Sequence, residues 1–411
     1  MGKTVFSVEK KFMLETELIL TTRAFLSGSL LQIRVRIRTM ILKNIRLINY
    51  RNIAFQDIHL HPHWNLFYGA NAQGKTNILE SIFLTARGRS FRNAPDRDLV
   101  RFGERSAYVL SDVERKGRDK RVEVKISRVE RKRIRVNEVE MENTKELAAQ
   151  FEVVLFAPEN LIIVKGSPGE RRAFLDDLLR AVDPTYGVLI RTYDKVLSQR
   201  NSLLKSHGDS WFDRQLSTYD DQLARAGSQI LWKRKKMVEE IRTLAPDFQA
   251  ALSSRRENLE LTYQSELLDG EDTNKLPTGP EKIRNKMKDL LFERREEDRS
   301  LGHTSLGPHK DDLVLTLNGL YSRSFASQGQ ARTITLALKL SELKIIEKYK
   351  DLHPLLLLDD VFSELDGKRS AFLLETIGPY QTILTSNHLV EGGREGMAFQ
   401  VEKGRVHANN K

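Results

Sequence analysis

Two stretches of the chain carry groups suited to handling a phosphate chain. Gly69-Ala70-Asn71-Ala72-Gln73-Gly74-Lys75-Thr76 satisfies G-x-x-x-x-G-K-[ST] in full, between a strand-like run and a helical one. Glycines there let backbone N–H groups turn inward at the positive end of the following helix, where they cradle phosphate. Lys75 is the type and spacing that reaches the β- and γ-phosphates of a nucleoside triphosphate, and Thr76 places a hydroxyl on Mg2+. The earlier Gly2-Lys3-Thr4 repeats the tripeptide with no strand or glycine before it, and reads as a decoy. Far downstream, Leu355 to Asp360 reads LLLLDD, four apolar residues delivering two carboxylates to the end of a buried strand. Asp359 is expected on the metal side, and Asp360 as the general base that polarises an attacking water. Asp366, in SELD, follows at a spacing that brings it towards the same phosphates.

A third stretch, SFASQGQAR, holds an S-x-x-Q capping box in Ser327 and Gln330. Gly329 stands inside that first turn, where glycine costs roughly 1 kcal/mol against alanine. Either that residue is incidental or something must come close to the backbone there.

The elements that position these groups can be read from periodicity. ILKNIRLINY and IHLHPHWNLFYG read as strands, Thr76 to about Ala86 as a helix, and Tyr108 to Val139 as short antiparallel strands with charged turns. FEVVLFAP is a buried strand stopped by proline. From about Ser167 to Ser300 the pattern is helical, with Phe212, Leu216, Tyr219, Leu223, Ala226 and Ile230 on one face; 266–280 is a polar loop. DDLVLTL, PLLLLDD and QTILTS restore strands around a helix from Arg332 to Tyr349. The reading is an α/β protein: a phosphate-binding head in two halves, 40–165 and 301–411, separated by a helical arm lobe at 166–300.

Composition bounds the rest. A chain of 411 residues without cysteine has no disulfide or thiolate metal site, as suits a reducing cytoplasm. No apolar run approaches the ~20 residues that span a bilayer, so no membrane association is expected. A net charge of +11 suits a polyanionic partner. Residues 1–39 mix basic, polar and apolar types without a period and are expected to be a poorly ordered extension ahead of Met40. Eleven Lys/Arg between Arg115 and Arg135 read first as a solvated sheet edge. Better candidates for nucleic-acid contact are Arg87, Arg89 and Arg92 in RGRSFR, just past the helix that follows the glycine-rich loop. His59, His61 and His63 flank Pro62 and read as a turn rather than a metal site.

P-loop, SQGQ, LLLLDD and SELD follow the order of P-loop, signature turn, acidic strand and D-loop in ATP-binding-cassette ATPases. The long interval between the first two resembles the SMC-like, DNA-acting branch. Within that branch LINYRNI, GRSFR, LFAPENL, RRAFLD, LGPHKDDL, ASQGQAR and DDVFSELD closely resemble the RecF family of recombination repair. The resemblance implies ATP sandwiched between the P-loop of one protomer and Ser327, Gly329 and Gln330 of another, so that ATP makes a homodimer that clamps DNA. It implies action at gapped or junction DNA, single- and double-stranded, with RecO and RecR helping to load RecA, and slow DNA-stimulated hydrolysis as a timer. It places Arg51, in NYRN, near the nucleotide. Departures are Asp360 where such ATPases carry Glu, which implies weak basal hydrolysis, and His388, which stands two residues late for a switch histidine. No residue is assigned as the Q-loop glutamine. Rival readings are a structural ATP-binding clamp with negligible hydrolysis, a transporter ATPase subunit, and a nuclease-fused relative, for which too little chain follows LLLLDD.

Overall fold

A computed structural model describes residues 38–141, 147, 151–206, 211–268, 279–389 and 395–409. Residues 1–37 and most of the 266–280 loop lie outside it. In the N-terminal part, β1 (Arg38–Tyr50), β2 (Ile53–His59) and β3 (Trp64–Tyr68) lead into α1 (Lys75–Arg87) and the single turn α2 (Asp96–Leu99). Strands β4 (Ser106–Arg115), β5 (Arg118–Ser127), β6 (Arg133–Val136), β7 (Val139–Glu140) and β8 (Val153–Phe156) follow. β1 starts at Arg38, two residues ahead of the expected boundary at Met40, because Arg38 and Thr39 pair in parallel with Leu352 and His353.

Next come α3 (Ile162–Lys165), α4 (Pro168–Val182), α5 (Tyr186–Leu204), α6 (Phe212–Arg242), α7 (Ala245–Leu252), β9 (Leu259–Gln264), α8 (Pro280–Glu293) and α9 (Arg295–Leu301). α6 buries Phe212, Leu216, Leu223, Ala226 and Ile230, the apolar face read from the sequence, while Lys233 interrupts it to pair with Asp183 at 2.5 Å. β9 is a strand inside the span read as helical. Its LELTYQ alternates buried and exposed, and it pairs antiparallel with β10 (Asp312–Leu317), which also pairs with β11 (Leu320–Tyr321).

The remainder supplies α10 (Ser322–Phe325), α11 (Gln328–Lys350), β12 (Leu352–His353), β13 (Leu355–Asp359), α12 (Gly367–Thr376) and β14 (Thr382–Ser386). A final hairpin, β15 (Gly396–Glu402) and β16 (Arg405–Asn409), was not read from the sequence.

Six strands in the order β16-β15-β3-β14-β13-β8 form the central sheet, parallel except for β16. Its inner strands are buried on both faces, which is why LLLL and ILT run without polar interruption. Leu356 and Leu358 face α11 and the arm, whereas Leu355 and Leu357 face α1 and the antiparallel sheet. That second sheet, β12-β1-β4-β5-β6-β7 with β2 on β1, alternates buried and exposed residues and so covers α1 from outside. This is an α/β fold of mixed parallel and antiparallel sheets with an inserted helical lobe. Open sheets of this kind bind ligands beyond the carboxyl ends of their strands. There β3 delivers the glycine-rich loop and β13 the two aspartates, with β14 between them.

Candidate functional site

The glycine-rich loop is a closed turn held from several directions. Gly69 takes φ 148°, and a Cβ there would lie 2.4 Å from the Val401 carbonyl of β15. Gly74 takes φ 114° against the Asn52 side chain, where a Cβ would meet the amide oxygen at 2.8 Å. Glycine is therefore required at both ends by close backbone approach and positive φ. Asn52 Nδ2 donates to Gln73 O at 3.0 Å, Gly404 N to the same carbonyl at 2.9 Å, and Lys403 N to Gln73 Oε1 at 2.6 Å. Lys75 lies curled under the loop, donating to Gly69 O at 2.6 Å, Ala70 O at 2.8 Å and Asn387 Oδ1 at 3.1 Å. Burial lowers its pKa, and the carboxylates of Asp360 and Asp359 oppose that shift.

Facing the loop, Asp359 Oδ1 accepts from Thr76 Oγ1 at 2.9 Å and from Thr385 Oγ1 at 2.7 Å. Burial raises the Asp359 pKa against those two bonds, so a cation beside it would relieve the cost of its charge. Thr76 and Asp359 thus fit the protein side of a Mg2+ shell completed by phosphate oxygens and water. Among the described residues no cluster of three His, Cys, Asp or Glu could hold a metal alone. Asp360 is held at φ 51°, and its buried Oδ1 has no hydrogen-bond partner among the described residues. A cavity of about 190 Å3 lies between Asn71, Ala72, Gly74, Lys75 and Thr76 on one side and Asp359, Asp360, Thr385 and Asn387 on the other, with Arg92 at its edge.

Other residues singled out from the sequence go elsewhere. Arg51 does not reach the loop: its guanidinium forks onto buried Glu80 at 2.8 and 2.7 Å and donates to Asp98 O at 3.0 Å. Without that pairing the Glu80 carboxyl would be buried with Ser90 as its remaining side-chain partner. Arg87 is half-buried and donates to Val153 O at 2.9 Å, at the edge of the central sheet. Arg92 lies at the loop cavity, 3.3 Å from Asn77 Oδ1 and 3.6 Å from Glu159. Arg89 and Arg92 are both exposed, and Arg89 pairs with Asp177 at 2.5 Å. His388 does not line the cavity; Asn387, one residue earlier, touches Lys75. Asp366 caps α12, accepting from Arg369 N at 2.9 Å.

Ser327 and Gln330 form a reciprocal capping box: Gln330 N donates to Ser327 Oγ at 3.2 Å and Ser327 N to Gln330 Oε1 at 2.9 Å. Glu257 steadies Gln330 through a further bond of 3.1 Å. Gly329 is exposed, and a Cβ built on it meets nothing within 4 Å. Nothing among the described residues therefore requires glycine at that position. Just upstream, Lys165 Nζ donates to Arg323 O at 3.2 Å and to Ala326 O, fixing the chain that enters the cap. Asn52, Thr385, Asn387, Lys403 and Lys165 were missed by sequence reading, each being a common residue type remote from the motif it serves.

The model of the RecF/RecN/SMC N-terminal domain matches residues 41–400. The DNA replication and repair protein RecF of Clostridium novyi (strain NT) is 38% identical over 352 residues, covering 86% of this chain and 94% of that protein. The chain belongs to the RecF family. The RecF of Lachnospira eligens is likewise 38% identical, over 90% of this chain and all of its own length. Among solved structures, the recombination mediator protein RecF bound to ATP, of the RecFOR pathway, superposes with a TM-score of 0.83 at 35% identity, covering 90% of this chain and 98% of that one. An Smc head domain from Pyrococcus furiosus shares the fold alone, at TM-score 0.53 and 16% identity. The glycine-rich loop and LLLLDD lie within the matched span. No helix among the described residues is long and apolar enough to cross a membrane.

Proposed function

We propose that this RecF-family chain is an ATP-dependent DNA-binding protein of replication and repair, in which ATP joins two protomers and its hydrolysis releases them. The observation that carries the reading is a division of labour within one chain. The loop cavity gathers Lys75, Thr76, Asp359 and Asp360, yet Ser327, Gly329 and Gln330 do not line it. Their capped helix start instead faces solvent, with Gly329 leaving its backbone approachable. A helix N-terminus is a phosphate site, so each protomer holds half of a site that a second copy completes.

In this reading the loop amides and Lys75 bind the phosphates, and the Lys75 ammonium exchanges its carbonyl partners for phosphate oxygens. Thr76 and Asp359 would hold Mg2+, which supplies charge neutralisation for the leaving phosphate when bound. Asp360, with an unpartnered carboxylate oxygen, orients the attacking water and accepts its proton. Its short side chain favours slow turnover. The motif resemblance to the RecF family supports extending the proposal to clamping of gapped or junction DNA, its stimulation of hydrolysis, and handover to RecO, RecR and RecA. The head halves 40–165 and 301–411 would close on nucleotide while the arm 166–300 transmits that state.

Sedimentation with and without ATP tests the reading on the wild type, Lys75→Met and Ser327→Arg. ATP-dependent dimers lost in both variants, with nucleotide still bound by Ser327→Arg, are expected. A Ser327→Arg chain that dimerises normally with ATP would sink the sandwich.

A further inference from the structure

Phe102 is 96% exposed, an unusual fate for a large apolar ring, and it stands at the tip of a rigid turn. Glu104 N donates to Arg101 O at 3.1 Å to close that turn, and Gly103 follows Phe102 at φ 84°. The base of the turn is stitched to the β1–β2 corner by Arg101 N to Asn49 O and Arg51 N to Leu99 O, both 2.8 Å. Arg128 spends its guanidinium on the same turn, donating to Glu104 O at 3.0 Å, Val100 O at 3.1 Å and Arg101 O at 3.3 Å. The ring is therefore displayed in one place by a network whose ordering cost is met before any ligand arrives.

The surroundings are cationic. Arg101 and Arg105 flank Phe102 in sequence, and neither has a carboxylate partner among the described residues. The local acidic groups are Glu104 and Asp98, the latter 3.7 Å from Arg97. An open depression of about 800 Å3 lies beside the ring, lined also by Arg51, Asn52, Asn77, Asp98, Arg101 and Arg128. Two uncommitted guanidinium groups and an exposed ring form the combination that tracks a phosphate backbone while stacking a base. A fully paired duplex offers phosphates but not an accessible base face.

We propose that Phe102 is a stacking platform for an unpaired nucleobase, with Arg101 and Arg105 holding the adjoining phosphates, so that this turn selects single-stranded nucleic acid. The inference rests on the reading of the chain as a DNA-binding protein and names the part of the ligand that this turn takes. The chemistry is sequence-tolerant, because every base has a π-face.

The test uses the full chain with Mg-ATP and fluorescence anisotropy on two probes, an oligothymidylate and a blunt duplex of equal length. Phe102→Ala is expected to weaken oligothymidylate binding about tenfold and duplex binding less than twofold. Phe102→Trp should restore it. Arg101→Glu with Arg105→Glu should weaken both probes and flatten the salt dependence. ATP affinity, measured separately, should be unchanged in all of them. Equal losses on both probes, or none, overturn the proposal. A loss of ATP affinity in Phe102→Ala overturns it too, since the ring would then serve the base of the bound nucleotide. Unfolding midpoints confirm that the variants are folded. A wild type that binds neither probe removes the DNA-binding reading itself, whereas a wild type that binds oligothymidylate as tightly as Phe102→Ala removes only this inference.

Discussion

The amide of Asp360 donates to Thr385 Oγ1 at 2.9 Å, and the same hydroxyl donates to Asp359 Oδ1 at 2.7 Å. One threonine on β14 thus fixes both carboxylate-bearing residues at the end of β13, including one held at positive φ. Thr385→Val keeps the volume and removes both bonds. Each buried bond of this kind contributes roughly 1 kcal/mol, so a modest fall in stability is expected. Turnover of ATP should fall about tenfold or more, a barrier increase near 1.4 kcal/mol, while nucleotide affinity stays close to wild type. Thr385→Ser should restore turnover. Phosphate release and a separate nucleotide titration measure the two; parallel loss of affinity would mean that Thr385 supports the phosphate loop instead.

Lys165 holds the carbonyls of Arg323 and Ala326 immediately ahead of Ser327. Lys165→Met retains the aliphatic stem and loses the ammonium, which should leave ATP binding intact and weaken ATP-dependent dimerisation about tenfold. Mixing supplies the discriminating result. A dimer of Lys165→Met with Lys75→Met contains one composite site with an intact P-loop and an intact capped turn. Partial recovery of ATP turnover on mixing is expected. No recovery would mean that Lys165 acts on its own protomer's nucleotide.

Legibility in the sequence divides along locality. The phosphate loop could be read because eight consecutive residues set its geometry, and LLLLDD because a strand buried on both faces must be continuously apolar. Arg51, Arg87 and Arg92 could be recognised as cations near the right elements, but their partners Glu80, Val153 and Asn77 are set by tertiary packing. Long side chains reach several ångströms in any direction, so proximity in sequence said little about where they point. β9 showed its period-2 alternation openly and was absorbed into a helical span by its neighbours. β15 was less visible, since only Phe399 and Val401 mark its buried face. Thr385 and Asn387 carry no signal of their own; only the placement of β14 between β3 and β13 gives them work.

The Arg51–Glu80 pair should behave as a structural unit. Glu80 is fully buried and also accepts from Ser90 Oγ at 2.5 Å. Arg51→Met leaves that carboxylate without its counter-charge, a change that costs roughly 3–5 kcal/mol in comparable buried pairs. Adding Glu80→Gln should recover part of the loss. Denaturant midpoints measure this, with ATP affinity per folded molecule expected to be unchanged. A selective loss of ATP affinity at normal stability would return Arg51 to the nucleotide.

The LGPHKDDL run offers a pH test. Burial pushes Asp311 up to about 6, against bonds that include Tyr263 OH at 2.7 Å, and burial brings His309 down to about 4. His309 Nε2 faces Thr304 O at 3.1 Å and Nδ1 faces Tyr193 OH at 2.6 Å, which fits a neutral ring with its proton on Nε2. Between about pH 4 and 6 the folded chain keeps a proton on Asp311 that the unfolded chain releases, so this group makes stability fall as pH rises. Over nearly the same window the unfolded chain protonates His309 and the folded chain does not, so this group makes stability rise. Each shift spans about 2 pH units, on the order of 3 kcal/mol, and the two largely cancel. Asp311→Asn should therefore unmask a stability that climbs by up to about 3 kcal/mol from pH 4 to 6.5. His309→Gln should show the opposite slope between pH 4 and 6. Urea midpoints across that range measure both, and an Asp311→Asn profile parallel to wild type would mean that Asp311 titrates at its ordinary value.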